Sequence, residues 1–286
     1  MTSTLAYPAD EQGSPLARLL AAPRFEVMPV RGVEDEVAAL PSGATVTVIC
    51  SPRHGIDRTV EVSRLLAARG YRVVPHLAAR MVRDRDHLEQ IVERLHAADL
   101  REAFVIGGDH SPPAGRYSDA GDLLEELDSL THAPSRIGVG GYPEGHPFIS
   151  DERLLGALRR KQSNAHYITT QICFDADALV RWIHSIREAG IDRAVIVGLP
   201  GAVDRRRLAE ISARVGVGTS LRYLAKHARQ IATLARARTY DPTVLARDIA
   251  AHLAEQDLGI QGVHLFTFNQ VGATLDWYER AVSARP

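Results

Sequence analysis

A single-domain parallel (β/α)8 barrel of the TIM type is the fold this chain predicts, and three observations predict it. Eight short β-branched runs alternate with amphipathic stretches of helical period along nearly the whole length. The connections between them are a few residues long, and such barrels usually take about 250 residues, against 286 here. The competing arrangement, a doubly wound open sheet, would carry a Gly-x-Gly-x-x-Gly turn after its first strand, and none is present.

Residues 1–20 hold Pro, Gly and Ser with little periodicity and are expected to form a flexible arm ahead of a barrel over 21–286. They lack the basic and apolar regions of a signal peptide. Strands are expected at FEVMPV (25–30), ATVTVIC (44–50), YRVVPHL (71–77), EAFVIGG (102–108), RIGVGGYP (136–143), HYITTQICF (166–174), RAVIVGL (193–199) and GVHLFTF (262–268), each rich in residues that fit a pleated surface. Helical patterns fill the gaps at 57–70, 84–99, 120–133, 151–162, 175–190 and 204–216. A double helical region over about 217–257 and a last helix over 270–283 follow. Asp57, Asp151 and Asp175 are expected N-caps, whose carboxylates satisfy free backbone N–H groups. Gly70 and Gly190 are expected to close two helices in the left-handed conformation.

Composition excludes several classes of function. The chain is 45% hydrophobic and 24% charged with a net charge of −1, a balance that argues against nucleic acid or an acidic membrane surface as partner. No apolar run approaches the roughly 20 residues of a membrane span, so a cytoplasmic protein is expected. Cys50 and Cys173 fall in strand-like runs and are expected as buried free thiols. The twelve histidines show no HxH or HExxH spacing and the cysteines no CxxC, so no metal site is expected. Lys161 and Lys226, the two lysines, lie outside strands, which argues against Schiff-base chemistry.

Barrel active sites are built from strand C-terminal ends and the loops that follow. In the first strand, alternation puts Phe25 and Val27 on one face and Glu26 on the other. If the apolar pair packs on helices, Glu26 points into the barrel. Desolvation there disfavours the charged form, which suits a general acid; the alternative is a carboxylate paired with a buried arginine. The third strand ends in Pro75-His76-Leu77 and the fourth in Gly107-Gly108-Asp109-His110. The glycines there allow either close approach of a flat ligand or a turn leading to a helix cap. The fifth displays Tyr142, Glu144 and His146 on a turn stiffened by Pro143 and Pro147; the sixth ends in Thr170-Gln171 and the eighth in Thr267-Phe268-Asn269. An acid, an amide and several aromatics at one mouth suit a planar, hydrogen-bonding heterocycle. No glycine-rich cradle followed by Lys-Ser/Thr is present, which disfavours nucleoside triphosphate chemistry.

In order and spacing, FE-x-x-P at 25–29, PHL at 75–77, GD at 108–109, GYPEGHP at 141–147, TTQICFD at 169–175, GLP at 198–200 and GVHLFTFN at 262–269 resemble the methylenetetrahydrofolate reductases over most of 24–270. The resemblance implies a (β/α)8 barrel that reduces 5,10-methylenetetrahydrofolate to 5-methyltetrahydrofolate, normally with FAD relaying hydride from NAD(P)H. It implies Glu26 as the catalytic acid that protonates the leaving N10 and yields the N5 iminium. Asp109 matches an aspartate beside the pterin, with both catalytic and binding roles. Gln171 and Phe268 match folate-binding positions, and His76, Tyr142 and His146 match positions that face the cofactor. Glu144 belongs to the motif, with catalytic and structural roles both open.

Departures from the family pattern cluster on the flavin side. Gly107 replaces an arginine, Ser163-Asn164-Ala165 replaces Ala-Gly-Ala, and Asp119 replaces a tyrosine ahead of Ala120-Gly121-Asp122-Leu123. An added acid and a lost cation both oppose a pyrophosphate. The sequence therefore predicts NADH, with NADPH less favoured, passing hydride directly to folate without FAD. A conventional FAD-dependent reductase and a non-catalytic folate-binding barrel are the alternatives.

Overall fold

The computed structural model describes residues 14–204, 206, 208 and 239–283. Its eight strands form one closed parallel barrel in chain order, with the last paired back to the first. They are β1 Pro23–Val27, β2 Thr45–Val48, β3 Arg72–Ala78, β4 Glu102–Ile106, β5 Arg136–Gly141, β6 Tyr167–Thr170, β7 Ala194–Pro200 and β8 Ile260–Phe266. Around them lie α1 Pro15–Leu19, α2 Val33–Val37, α3 Gly55–Ala68, α4 Arg85–His96, α5 Ala120–Leu127, α6 Asp151–Lys161, α7 Ala176–Glu188, α8 Thr243–Glu255 and α9 Val271–Ser283.

Every expected strand is present, mostly shorter than its apolar run. The sixth shows why. Ile172, Cys173 and Phe174 are apolar and buried, yet the N–H groups of Phe174 and Asp175 bond the Glu144 carboxylate instead of a neighbouring strand. The helix α2 escapes sequence reading because five residues are too few to display a period. From Ser14 onward the expected arm is docked. Ser14 caps α1, Leu19 and Leu20 are buried, and the Leu20 carbonyl accepts a hydrogen bond from Tyr278. Residues 1–13, the pattern over 204–216 beyond its first residues, the double helical region as far as 238, and Lys226 lie outside the described residues.

Two of the three expected N-caps are corrected. Asp175 caps α7, its carboxylate accepting from Ala178 N. The cap of α3 is His54, and Asp57 sits in the first turn, where its carboxylate accepts from Arg94 at 2.6 Å. The cap of α6 is Ser150, one residue ahead of Asp151. A carboxylate in a first turn still faces the positive end of the helix dipole, so sequence signals for the two positions overlap. Gly70 and Gly190 follow the last turns of α3 and α7 with φ of +90° and +77°, as left-handed helix terminators do.

Alternation divides the strands between two environments. Phe25, Val27, Val46, Val48, Val105, Val139, Ile168, Val197, Val263 and Leu265 are all buried; Phe25, for instance, meets Tyr278 of α9 edge-on at 6.1 Å. Each such side chain contributes about 1.5–3 kcal/mol of apolar burial, and together they form the layer between sheet and helices. The inside mixes polar residues with Phe104, Ile196 and Phe266. Low in the barrel, Arg24 Nη1 donates to Glu102 Oε1 at 2.6 Å and to the Tyr167 hydroxyl at 2.9 Å. Its guanidinium lies 4.5 Å from the centre of the Tyr167 ring. These three side chains occupy the end of the barrel opposite the site.

Room for the Tyr167 ring comes from Gly138 on the neighbouring strand: a Cβ there would lie 2.3 Å from two ring carbons. Gly138→Ala is expected to lower stability by about 1–3 kcal/mol, as overpacking a barrel interior does. Denaturant unfolding monitored by circular dichroism measures it; an unchanged midpoint would show that the ring can move aside.

Candidate active site

Three strands bring Glu26, His76 and His264 together inside the upper barrel. Glu26 Oε2 lies 3.0 Å from His264 Nε2 and 3.9 Å from His76 Nε2. Both imidazoles are buried, while the carboxylate side chain keeps 13% of its surface exposed towards the mouth. Glu26 thus points inward, on the face that alternation assigns it. Its partner is a histidine, not the buried arginine of the alternative reading. At 3.0 Å the contact is a hydrogen bond whose donor is set by the tautomer of the ring. Burial and the neighbouring His264 hold the pKa of His76 well below the usual imidazole value, so its ring is neutral at pH 7. Its Nε2 is buried with no hydrogen-bond partner among the described residues. Phe104 packs edge-on against His76 at 4.7 Å, and Phe266 against His264 at 4.9 Å, fixing both rings.

The turn after β8 holds the acid in place. Thr267 Oγ1 donates to the Glu26 carbonyl at 2.5 Å. Asn269 accepts from Met28 N at 2.7 Å and donates to Met28 O at 3.1 Å, so one side chain continues the seam between β1 and β8. Phe268 and Asn269 adopt φ of +48° and +62° to make this turn, a conformation that costs a non-glycine residue of order 1 kcal/mol and persists where surrounding contacts demand it. Phe268 enters a small apolar cluster with Ile172, Phe174, Val203 and Leu208 beside the mouth.

The loop after β5 carries a second group. Tyr142 and His146 meet edge-on at 5.3 Å, and His146 Nδ1 accepts from Phe148 N. Burial, and secondarily the charge of Asp109, raise the Tyr142 phenol, which therefore stays protonated. Asp109 is exposed in the loop after β4. Gln171 follows β6 and is partly buried, its Oε1 turned to its own loop at Ile172 N. Glu144 braces this loop: its Oε1 accepts from Phe174 N at 2.7 Å and Asp175 N at 3.0 Å, with the Cys173 thiol at 3.4 Å. It ties the loop of Tyr142 and His146 to the loop of Gln171. Cys50 and Cys173 are buried free thiols, and burial raises both.

Beyond Tyr142 the rim is a closed ion-pair network. Asp119 caps α5 in a capping box with Asp122, and Arg160 reaches Asp119, Asp122 and Glu125 at 3.1, 2.8 and 3.0 Å. Desolvation would raise Asp122, but hydrogen bonds from Arg160 and Ser118 outweigh it and bring it down to about 2. Lys161 of α6 reaches the upper end of β5, its Nζ 3.5 Å from the Gly140 carbonyl. Burial, opposed by Asp119, pushes it down to about 8.

His264 and Lys161 were not singled out by sequence reasoning as parts of a site, and Thr267 and Asn269 were named there only as the end of the eighth strand. His264 sits within GVHLFTFN, and its position two residues before Phe266 on the inward face was the available signal. The arrangement sets a carboxyl group beside two buried imidazoles inside the upper barrel, with Tyr142, Gln171 and Phe268 on the loops at the same end.

Comparison with known proteins follows the same direction. The pattern of the methylenetetrahydrofolate reductase family matches residues 32–281. The 5,10-methylenetetrahydrofolate reductase of Salmonella typhimurium is 31% identical over 147 residues, 50% of this chain and 49% of that protein. Methylenetetrahydrofolate reductase (NADH) 1 of Arabidopsis thaliana is 24% identical over 134 residues, 40% of this chain and 22% of that protein. The matched part of the chain thus spans from a fifth to about half the length of these curated relatives. A solved structure from Clostridium thermocellum, described as binding two copies of 5-methyl-5,6,7,8-tetrahydrofolic acid, superposes with a TM-score of 0.62 at 12% identity. It covers 94% of this chain and 96% of that one, and shows the same fold.

Removing the brace should be costly. Glu144→Ala leaves the Phe174 and Asp175 N–H groups without their acceptor, and about 1–3 kcal/mol is expected per buried unsatisfied donor. Urea unfolding measures the loss; a change under 0.5 kcal/mol would mean that water replaces the carboxylate and the brace is dispensable.

Proposed function

The chain belongs to the methylenetetrahydrofolate reductase family, and from that premise we propose that it reduces 5,10-methylenetetrahydrofolate to 5-methyltetrahydrofolate with hydride taken directly from NADH. The observation that carries the proposal is the Glu26–His264 pair, 3.0 Å apart inside the mouth. Opening the imidazolidine ring requires a proton on N10 as its bond to the bridging carbon breaks, leaving the N5 iminium to accept hydride. Glu26 gives that proton and His264 orients the carboxyl group, with Phe266 and Phe104 limiting the water that would compete for it. Gln171 and Asp109 border the pterin with amide and carboxylate, and Phe268 supplies an apolar wall. Tyr142 and His146 orient the nicotinamide. NADH supplies the hydride when bound, and the protein contributes position and a proton.

The rim does not suit a resident FAD. Where the family resemblance expects an arginine and a stacking tyrosine, this chain has Gly107 and Asp119, and Arg160 is engaged by three carboxylates. A charged hydrogen bond contributes about 1.5–3 kcal/mol and an aromatic stack about 0.5–1.5 kcal/mol, so the two losses together amount to about 2–4.5 kcal/mol, against the roughly 4 kcal/mol that separates nanomolar from micromolar binding. A substrate that comes and goes tolerates that change; a bound coenzyme does not. Lys161 Nζ, beside the Gly140 carbonyl, offers a cation to a dinucleotide phosphate. The NADH-named plant relative supports the choice of nicotinamide. A cytoplasmic enzyme acting on small molecules, with neither nucleic acid nor membrane as partner, completes the reading; no helix among the described residues is long and apolar enough to cross a membrane.

The visible spectrum of the purified protein tests the flavin-free reading: no flavin band and NADH oxidation dependent on methylenetetrahydrofolate are expected without added FAD. Stoichiometric bound flavin would instead make it a conventional FAD-dependent reductase. Glu26→Gln is expected to cut kcat by on the order of 10²–10⁴-fold, the usual worth of a general acid, with the circular dichroism spectrum unchanged. Turnover at the native rate would place the proton donor elsewhere.

A further inference from the structure

Glu26, His76 and His264 offer more than an acid and its support. One carboxylate oxygen and two imidazole nitrogens, contributed by β1, β3 and β8, all lie within 4.8 Å of one another. A tetrahedral zinc-type site with bonds of about 2.0–2.1 Å spaces its ligand atoms by about 3.3 Å. The distances of 3.0 and 3.9 Å from Glu26 Oε2 to His264 and His76 bracket that value. The His76 Nε2 atom is the second, independent sign. It is buried, aimed at the carboxylate, and has no hydrogen-bond partner among the described residues, a state that costs a buried polar atom about 1–3 kcal/mol unless something binds it. The histidines are 6% and 3% exposed and the carboxylate 13%, so the cluster is enclosed except towards the mouth, where a fourth ligand can enter.

We infer that these three side chains form a binding site for one divalent transition-metal ion of the zinc type, with an open fourth position facing the barrel mouth. Two imidazoles and a single carboxylate select borderline ions such as Zn²⁺ or Co²⁺ over the hard Mg²⁺ and Ca²⁺, which need more oxygen ligands. The site has a consequence for catalysis that rests on the reductase reading. A Glu26 carboxylate bound to a metal ion holds no proton to give, so occupancy switches the enzyme off reversibly.

The test uses the full-length protein stripped with a chelator and titrated with Co²⁺. One equivalent is expected to bind, with the visible ligand-field absorption of a low-coordinate site, and Zn²⁺ is expected to displace it. His76→Ala and His264→Ala should each weaken binding by at least the roughly 10- to 100-fold that loss of an outer-sphere partner alone costs. His132→Ala, which alters the surface stack with His96 at 4.1 Å, should leave the stoichiometry at one. Should either alanine variant fail to fold by circular dichroism, Glu26→Gln keeps the shape, removes the anionic ligand and is expected to weaken Co²⁺ to a similar degree. Absence of a saturable equivalent, or the same affinity in the histidine and Glu26 variants, would overturn the site and leave only surface binding. Zn²⁺ at one equivalent should abolish NADH oxidation and excess chelator restore it; full turnover with the site saturated would overturn the switch. The metal titration is read optically and stands whether or not the protein turns over folate, so failure of the site and failure of the reductase reading are told apart.

Discussion

The seam between β1 and β8 is the constraint on which the rest depends. Closing a barrel requires the last strand to pair with the first, and here the same closure aims the acid. β8 supplies His264 to the Glu26 carboxylate, and the turn after it supplies Thr267 to the Glu26 carbonyl and Asn269 to the Met28 backbone. The left-handed backbone at Phe268 and Asn269 is the cost of that junction. One contact holds the carboxyl group and three more hold the backbone that carries it, so the side chain is oriented before any ligand arrives.

A second constraint divides the mouth into unlike halves. On one side the groups are an enclosed acid, an amide and apolar walls, joined to the Tyr142 loop through the Glu144 carboxylate. On the far side the charges are already spent on one another: Arg160 serves three acids, and Asp119 and Asp122 cap α5. An ion-pair cluster satisfied within the protein gains little from an incoming anion and must be partly broken to receive one. This asymmetry is the physical basis for reading the chain as a family member that binds its nicotinamide donor transiently.

How far the molecule was legible from sequence can be argued from particular elements. The strands were readable because alternation acts within the strand itself: Phe25 and Val27 out, Glu26 in. Their ends were not, because a Glu144 carboxylate thirty residues away decides where the β6 ladder stops. Asp175 was readable as a cap, whereas Asp57 and Asp151 were displaced by His54 and Ser150, since an acid at the cap and an acid in the first turn answer to the same dipole. The short α2 carried no period to read.

The same division holds for the site. Sequence alone determined the fold class, the inward direction of Glu26 and the set of polar groups at the strand ends, because periodicity and turn chemistry are local. Only the tertiary structure decided that Glu26 would meet a histidine 238 residues away, that His76 would be left with an orphaned nitrogen beside them, and that Arg160 would be neutralised at the rim. Those facts depend on which strand closes against which, and at what register. Motif spacing along the chain carries no such information, since ligands drawn from β1, β3 and β8 have no fixed spacing to recognise.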